Sequence, residues 1–187
     1  MFVVDKITQA KYTKDNSTFL SYLMPIDKFD DCLCGLKNEH KKAVHFIRAT
    51  RILNEYSQII EYSSDDGEPK GSSGVPVLNV MRGNNLINSG IIVVRYFGGK
   101  LLGIGGLVRA YSTAALEVIN NSDLIAFEKL QKITIESPLN KIELAKYLAR
   151  KLNIDSLKFD FIQNFAIIHI EANKDKIQNF ISHFQTN

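Results

Sequence analysis

Arg95, Lys100 and Arg109 stand within a fifteen-residue stretch that also holds Gly98, Gly99, Gly103, Gly105 and Gly106. Cations interleaved with glycines have the chemistry of an anion site, because free backbone N–H groups and guanidinium or ammonium donors converge on phosphate or carboxylate oxygens. The stretch reads as strand, loop and helix, with Arg109 expected in the first turn of the helix. A cation there opposes the helix dipole by roughly 0.3–1 kcal/mol, a cost that a bound anion removes. The competing reading turns Arg109 onto Asp65, Asp66 or Glu68 in an internal ion pair. Arg95 and Lys100 flank the same loop and are candidates for further phosphate contacts.

Ten of the eleven glycines fall between Ser64 and Ala110, so the backbone conformations that only glycine adopts freely are concentrated in one region. Its first half, Ser64 to Gly71, is an acidic turn carrying Asp65, Asp66 and Glu68. These carboxylates have the chemistry to hold a hard cation such as magnesium, but acidic turns are far commoner as solvated loops or Asx-turns, and no metal is expected. The glycines do not form a known nucleotide loop. Lys100 is followed by Leu101 rather than Ser or Thr, and Gly103, Gly105 and Gly106 do not have the G-x-G-x-x-G spacing, so neither ATP nor a dinucleotide cofactor is indicated. Ser72 and Ser73, in Gly-Ser-Ser-Gly, do not make a nucleophile elbow. His45, followed by Arg48 and Arg51 on an expected strand, is a candidate phosphate contact or base, with a structural role as the alternative.

The elements that must position these residues follow from periodicity. Strands are expected within residues 1–10, over Phe19–Leu23, Ala43–Leu53 and Gln58–Tyr62, and over the continuous apolar run Ile91–Tyr96, which reads as a strand buried on both faces. Ile26, Phe29, Leu33 and Leu36 mark a helix over about 26–41, with Asp27, Asp30 and Asp31 at its favourable end. Val75–Met81 is too short to separate helix from strand. Leu107, Ala110, Tyr111, Ala114 and Val118 mark a helix after a loop at 97–105. Beyond Asn121 the pattern restarts as β-α-β-β-α, with strands at Leu130–Glu136, Ser156–Ile162 and Phe165–Ala172, and helices at Leu139–Leu152 and around Ile177–Phe184. Phe159 and Phe161 are expected to face that core, and Phe165, Ile167 and His169 the opposite side, a face suited to packing between domains.

The bulk numbers are those of an ordinary globular chain of 187 residues, 45% apolar and 23% charged, with a formal charge of +3. That charge does not by itself mark a nucleic-acid binder, and neither half is a basic tail. Apolar runs fall well short of a membrane span and the N-terminus lacks signal-peptide order, so a cytoplasmic protein without membrane contact is expected. Cys32 and Cys34 lack a partner pair at zinc-binding distance and read as reduced thiols on a helix.

Ser64-Asp-Asp-Gly-Glu-Pro69, Gly71, Gly74 and Pro76, then Arg95-Tyr-Phe-Gly-Gly99 and Leu102-Gly-Ile-Gly-Gly-Leu-Val-Arg-Ala-Tyr111, resemble the signature of the Impact family, whose bacterial members are called YigZ-type. The likeness implies an α+β protein of two domains. Residues 1–125 resemble the α/β sandwich of elongation factor G domain IV, and residues 126–187 resemble a small ferredoxin-like domain like domain V of the same factor, here without its last strand. Eukaryotic members modulate the kinase that phosphorylates an initiation factor, through a shared ribosome-associated partner, and bacterial members are regarded as nucleic-acid binders. By motif match, Asp65, Asp66, Glu68, Arg95, Gly98, Gly99, Gly105, Gly106 and Arg109 inherit the family's surface. Lys11–Phe19 and Phe46–Arg51 depart from the usual pattern. The combined expectation is a non-enzymatic, translation-associated module without cofactor, binding RNA or the ribosome through Arg95, Lys100, Arg109, Arg48 and Arg51. The alternatives are a regulator that receives a protein partner on the same loops and, last, a metal-assisted phosphoryl-group enzyme.

Overall fold

The structure, a computed structural model, describes residues 1–186. It divides into two compact units, Met1–Phe127 and the chain from Glu128 onward.

The first unit is built on a five-stranded antiparallel sheet of β2 (Thr8–Lys14), β3 (Ser17–Pro25), β4 (His45–Leu53), β5 (Ile59–Ser64) and β6 (Ser89–Tyr96), in the order β2-β3-β6-β4-β5. A two-residue strand, β1 (Phe2–Val3), pairs apart from it with β7 (Ile125–Ala126), so the single strand expected in residues 1–10 is two pieces. Asp15 and Asn16, at φ 47° and 63°, close the β2–β3 hairpin in the left-handed conformation that short hairpin turns require and that Asp and Asn tolerate.

Two helices, α2 (Gly74–Gly83) and α3 (Gly103–Asn120), cover one face of the sheet, and α1 (Phe29–Glu39), entered through a single 3-10 turn at Ile26–Lys28, covers the other. Strand β6 is therefore buried on both sides, as its unbroken apolar run requires. Ile91 and Val93 pack with Phe19, Leu23 and Tyr111, while Ile92 and Val94 pack with Tyr22, Met24 and Phe29. Each such burial contributes about 1.5–3 kcal/mol. On the α1 side, His40 links two strands through the Tyr22 hydroxyl at 3.1 Å and the Tyr96 hydroxyl at 2.9 Å, and burial pushes the Tyr22 phenol up to about 12.

Val75–Met81 is helical. Gly74, Val77, Leu78 and Met81 recur at helical spacing on its buried face, and Pro76 falls in the first turn, where its missing N–H has no intrahelical partner to lose. Cys32 and Cys34 are free thiols on α1, half-buried and exposed.

The second unit contains β8 (Leu130–Pro138), α4 (Ile142–Lys151, after a 3-10 turn), β9 (Ser156–Ile162), β10 (Phe165–Asn173) and α5 (Lys174–Thr186), with sheet order β8-β10-β9. Its core joins Ala145 and Leu148 of α4, Ile168 and Ile170 of β10, and Ile177 and Phe180 of α5. Phe165, Ile167 and His169 alternate onto the opposite face, where His169 bonds Asp160 at 2.9 Å and Thr134 at 3.3 Å. One expectation is corrected: Phe159 packs on the core, but Phe161 stays 65% exposed, because it sits near the end of the edge strand β9.

Candidate functional site

The connection between β6 and α3 occupies residues 97–102, shorter than the loop expected to reach 105. Gly103 opens α3 at φ +69°, and Gly105 and Gly106 lie in its first turn. Arg109 is consequently in the second turn, so the argument that it opposes the dipole in the first turn does not hold. Gly98 has a packing role. A Cβ placed there would stand 2.1 Å from the Asn16 carbonyl carbon, and its N–H donates to Ser17 Oγ at 3.2 Å. Its lack of a side chain lets the connection lie against the β2–β3 turn. Gly99, at φ +84°, provides the bend that follows.

That docking brings cations together. Lys100 Nζ lies 3.2 Å from Asp15 Oδ1 and Lys14 Nζ 3.9 Å from Asp15 Oδ2. Lys14 and Asp15 also line a recess of about 310 Å³ with Tyr12, Gly106 and Arg109. Arg109 is exposed and makes no ion pair among the described residues, so the internal pairing with Asp65, Asp66 or Glu68 is not made. Two lysines share the Asp15 carboxylate, and Arg109 lines the same recess without one. Leu102, at the cap position just before α3, gives no side-chain cap, and the first turn of the helix carries no acidic residue. An eighteen-residue helix whose first N–H groups are unclaimed by side chains presents partial positive charge there.

Arg95 lies elsewhere. It follows Ile91 and Val93 on the alternating face of β6 that packs under α3 and is only 5% exposed. Its Nη1 donates to Glu68 Oε1, and its guanidinium lies 5.6 Å from the ring centroids of Phe19 and Phe97. The Tyr111 hydroxyl donates to the same Glu68 oxygen at 2.6 Å. Burial, reinforced by that bond to a carboxylate, pushes the Tyr111 phenol well up. His45, directly opposite Arg95 in the ladder, donates from Nδ1 to the Asp66 carbonyl at 2.8 Å and holds Nε2 3.8 Å from Glu68 Oε1. Arg95 is thus committed to an internal pair and is not a surface phosphate contact.

Arg48 and Arg51 also leave the predicted cluster. Arg51 is buried, donating to Glu61 at 2.9 Å and to the Leu86 carbonyl at 2.8 Å. Arg48 faces the α1 side, 3.0 Å from Ser64 Oγ and 6.0 Å above the Tyr62 ring. Because successive strand residues point to opposite faces, Arg48 cannot join His45 and Arg51. Glu61 is held down to about 2, chiefly by its hydrogen bonds from Arg82; burial pushes the other way, and the hydrogen bond from Arg51 and the charges of both arginines add to the lowering.

The acidic turn is fully engaged in building the fold. Asp65 accepts the N–H groups of Gly71, Ser73 and Gly74 and the Ser73 hydroxyl, at 2.8 to 3.1 Å. Burial works to raise its carboxyl, but these bonds together outweigh it and hold the group below the usual range. Asp66 accepts the Phe46 N–H at 2.7 Å. Among the described residues no group of three or more His, Cys, Asp or Glu side chains is placed to hold a metal ion.

On the other side of the connection, Phe97, Leu101, Ile104 and Leu107 line a cavity of about 450 Å³ into which His45, Glu68 and Arg95 also project. Sequence reasoning missed this cavity and Lys14. The adjacent Asp15 and Asn16 are the unread signal that could have located the hairpin carrying Lys14, whereas nothing in the spacing indicated the cavity.

The comparisons agree with this architecture. The Impact N-terminal domain family matches residues 15–119, and the chain belongs to the Impact family. An IMPACT family member of Haemophilus influenzae is 31% identical over 81% of this chain and 75% of its own length. IMPACT family member YvyE of Bacillus subtilis is 32% identical over 76% and 67%. A crystal structure described as a hypothetical protein superposes with a TM-score of 0.70 over 96% of this chain and 88% of that one, at 23% identity, and so shares the fold. No described helix is long and apolar enough to cross a membrane.

Proposed function

We propose that this chain is a translation-associated binding protein that holds RNA or ribosomal phosphates on the flank formed by Lys14, Lys100, Arg109 and the open start of α3. The observation that carries the reading is Arg109, exposed and without an ion pair among the described residues, beside a helix start that has neither a side-chain cap nor an acidic first turn. Phosphate oxygens satisfy both features at once, taking backbone N–H groups and guanidinium donors together. The translation role that Impact family membership implies supports the same reading. His45, Arg48, Arg51 and Arg95 are supporting residues of the fold in this proposal.

The test is binding of single-stranded RNA and of ribosomes across a salt series, comparing the wild type with Lys100→Ala plus Arg109→Ala. Each lost phosphate contact lowers the magnitude of the logarithmic salt slope by roughly 0.7 on single strands, and affinity falls with it. An unchanged slope and affinity would sink the proposal. Capture from nuclease-treated lysate separates it from an acidic protein segment on the same flank, because retention of one defined protein without RNA assigns the flank to that protein.

A further inference from the structure

Strand β9 is an edge of the second unit's sheet. It pairs with β10 alone, so every second residue turns a backbone N–H and C=O outward with no strand to receive them. Natural edges are blunted by proline, by charge or by a covering element. β9, Ser-Leu-Lys-Phe-Asp-Phe-Ile, has no proline, and its last two side chains, Phe161 and Ile162, are 65% and 55% exposed. Phe161 stacks on Phe159 with ring centroids 6.5 Å apart and still stays open to water.

The ladder with β10 fixes which way each side chain points. Leu157, Phe159 and Phe161 stand beside Ile170, Ile168 and the buried Ala166 on the core face, while Lys158 and Asp160 stand beside His169 and Ile167 on the other. Turned antiparallel on itself about Phe159, the strand is self-complementary. Lys158 of each copy then faces Asp160 of the other, Leu157 faces Phe161 at both ends, and the two Phe159 side chains meet at the centre. Opposed residues of an antiparallel pair share a face, so the apolar core face continues from one copy into the next and Leu157 covers the exposed Phe161. Lys158 makes no ion pair among the described residues, and this register supplies one.

Other registers fail. A shift of two residues sets Lys158 against Lys158 or Asp160 against Asp160, and like charges directly opposite are destabilising. A shift of one residue sets Lys158 or Asp160 against a phenylalanine and carries the core face to the opposite side. The other edge of the sheet, β8, carries Lys132 and Glu136 two residues either side of Thr134, but Lys132 already lies 3.8 Å from Glu171, and Leu130 is the one large apolar side chain it exposes. Charge alone suits both edges, whereas uncovered apolar surface selects β9.

We propose that two copies of this chain associate through β9, edge to edge and antiparallel about Phe159, joining two three-stranded sheets into one. Each copy contributes the same seven-residue strand, so the contact is isologous and closes at two copies. An interface of this kind belongs to the small, reversible class below about 1,200 Å².

The test is sedimentation velocity of the full chain from about 5 to 500 μM, a range that spans weak association. The expected result is a reversible monomer–dimer equilibrium. Lys158→Asp and Asp160→Lys, both at exposed positions, each place like charges opposite one another twice, and each should weaken association at least about tenfold while the thermal melt is retained. An equimolar mixture of the two variants restores both ion pairs and should recover the dimer. Lys132→Glu, on β8, should associate as the wild type does. The proposal is overturned if the wild type stays monomeric throughout, if both β9 variants associate as tightly as the wild type, or if their mixture recovers nothing. Loss of the dimer in Lys132→Glu would assign the contact to β8 and overturn it equally.

Discussion

Arg95 and Glu68 pair with both side chains almost wholly withdrawn from water, at 6% and 4% exposure. The pair joins strand β6 to the 65–69 turn, and Tyr111 ties it to α3 through the same carboxylate oxygen. A buried pair of this kind adds little net stability compared with apolar residues of equal size, but removing one partner strands the other charge. Arg95→Ala and Glu68→Ala are each expected to lower unfolding stability by about 3–5 kcal/mol. Arg95→Met with Glu68→Leu should recover part of that loss, the remainder being the buried Tyr111 hydroxyl left without its acceptor. Urea denaturation of the four chains checks this, and a double variant as unstable as the singles would refute the argument.

Asp65 acts as a remote cap for α2, eight and nine residues ahead of the amides it accepts. Asp65→Ala leaves the Ser73 and Gly74 N–H groups without their acceptor and should cost about 1–2 kcal/mol, near the upper end for a cap. Amide hydrogen exchange gives a local readout, with protection lost first at Gly71, Ser73 and Gly74.

Acid should weaken the fold through Glu61 and Asp65. Glu61 falls from 4.5 to about 2, chiefly through its hydrogen bonds from Arg82, and Asp65 is also lowered. A carboxyl with a depressed folded value binds fewer protons folded than unfolded across the interval, so stability rises with pH there and is lost as pH falls. The urea midpoint should drop as pH is taken from about 4.5 towards 2, and Glu61→Gln should flatten that dependence. A slope unchanged in the variant would remove Glu61 as a contributor.

How much of this was legible in the sequence depends on what fixed each feature. Ile91–Tyr96, the inward residues of α3 and Ile177–Phe184 follow from burial periodicity, which is local. Val75–Met81 was ambiguous because its helix is anchored by Asp65, a contact across a loop that no window over the segment contains. Arg95 and Arg109 looked alike as cations flanking one loop, yet Arg95 continues the inward alternation of Ile91 and Val93. The sign of its environment was therefore available from strand period alone. Lys14 required two steps, first recognising Asp15–Asn16 as a hairpin turn and then placing that turn against Gly98. The second step is a close approach of two backbones that residue types do not encode.

Gly98 and Gly105 belong to the same motif but should respond oppositely to alanine. At Gly98 a methyl would meet the Asn16 and Ser17 backbone at 2.1 to 2.4 Å, where no flexible side-chain end can yield. Overpacking against backbone should cost at least about 1–3 kcal/mol. At Gly105 the nearest atom is Arg109 Nη1 at 3.6 Å, and the residue lies exposed within a helix. Alanine there should stabilise the fold by roughly 0.5–1 kcal/mol through its lower backbone entropy cost. The fold alone therefore gives no reason for glycine at this position, whereas close approach of a phosphate to the first turn of α3 does. Gly105→Ala is expected to raise the melting temperature and at the same time weaken RNA binding. A variant that gains stability and binds RNA as tightly as the wild type would show that the first turn of α3 does not receive the phosphate.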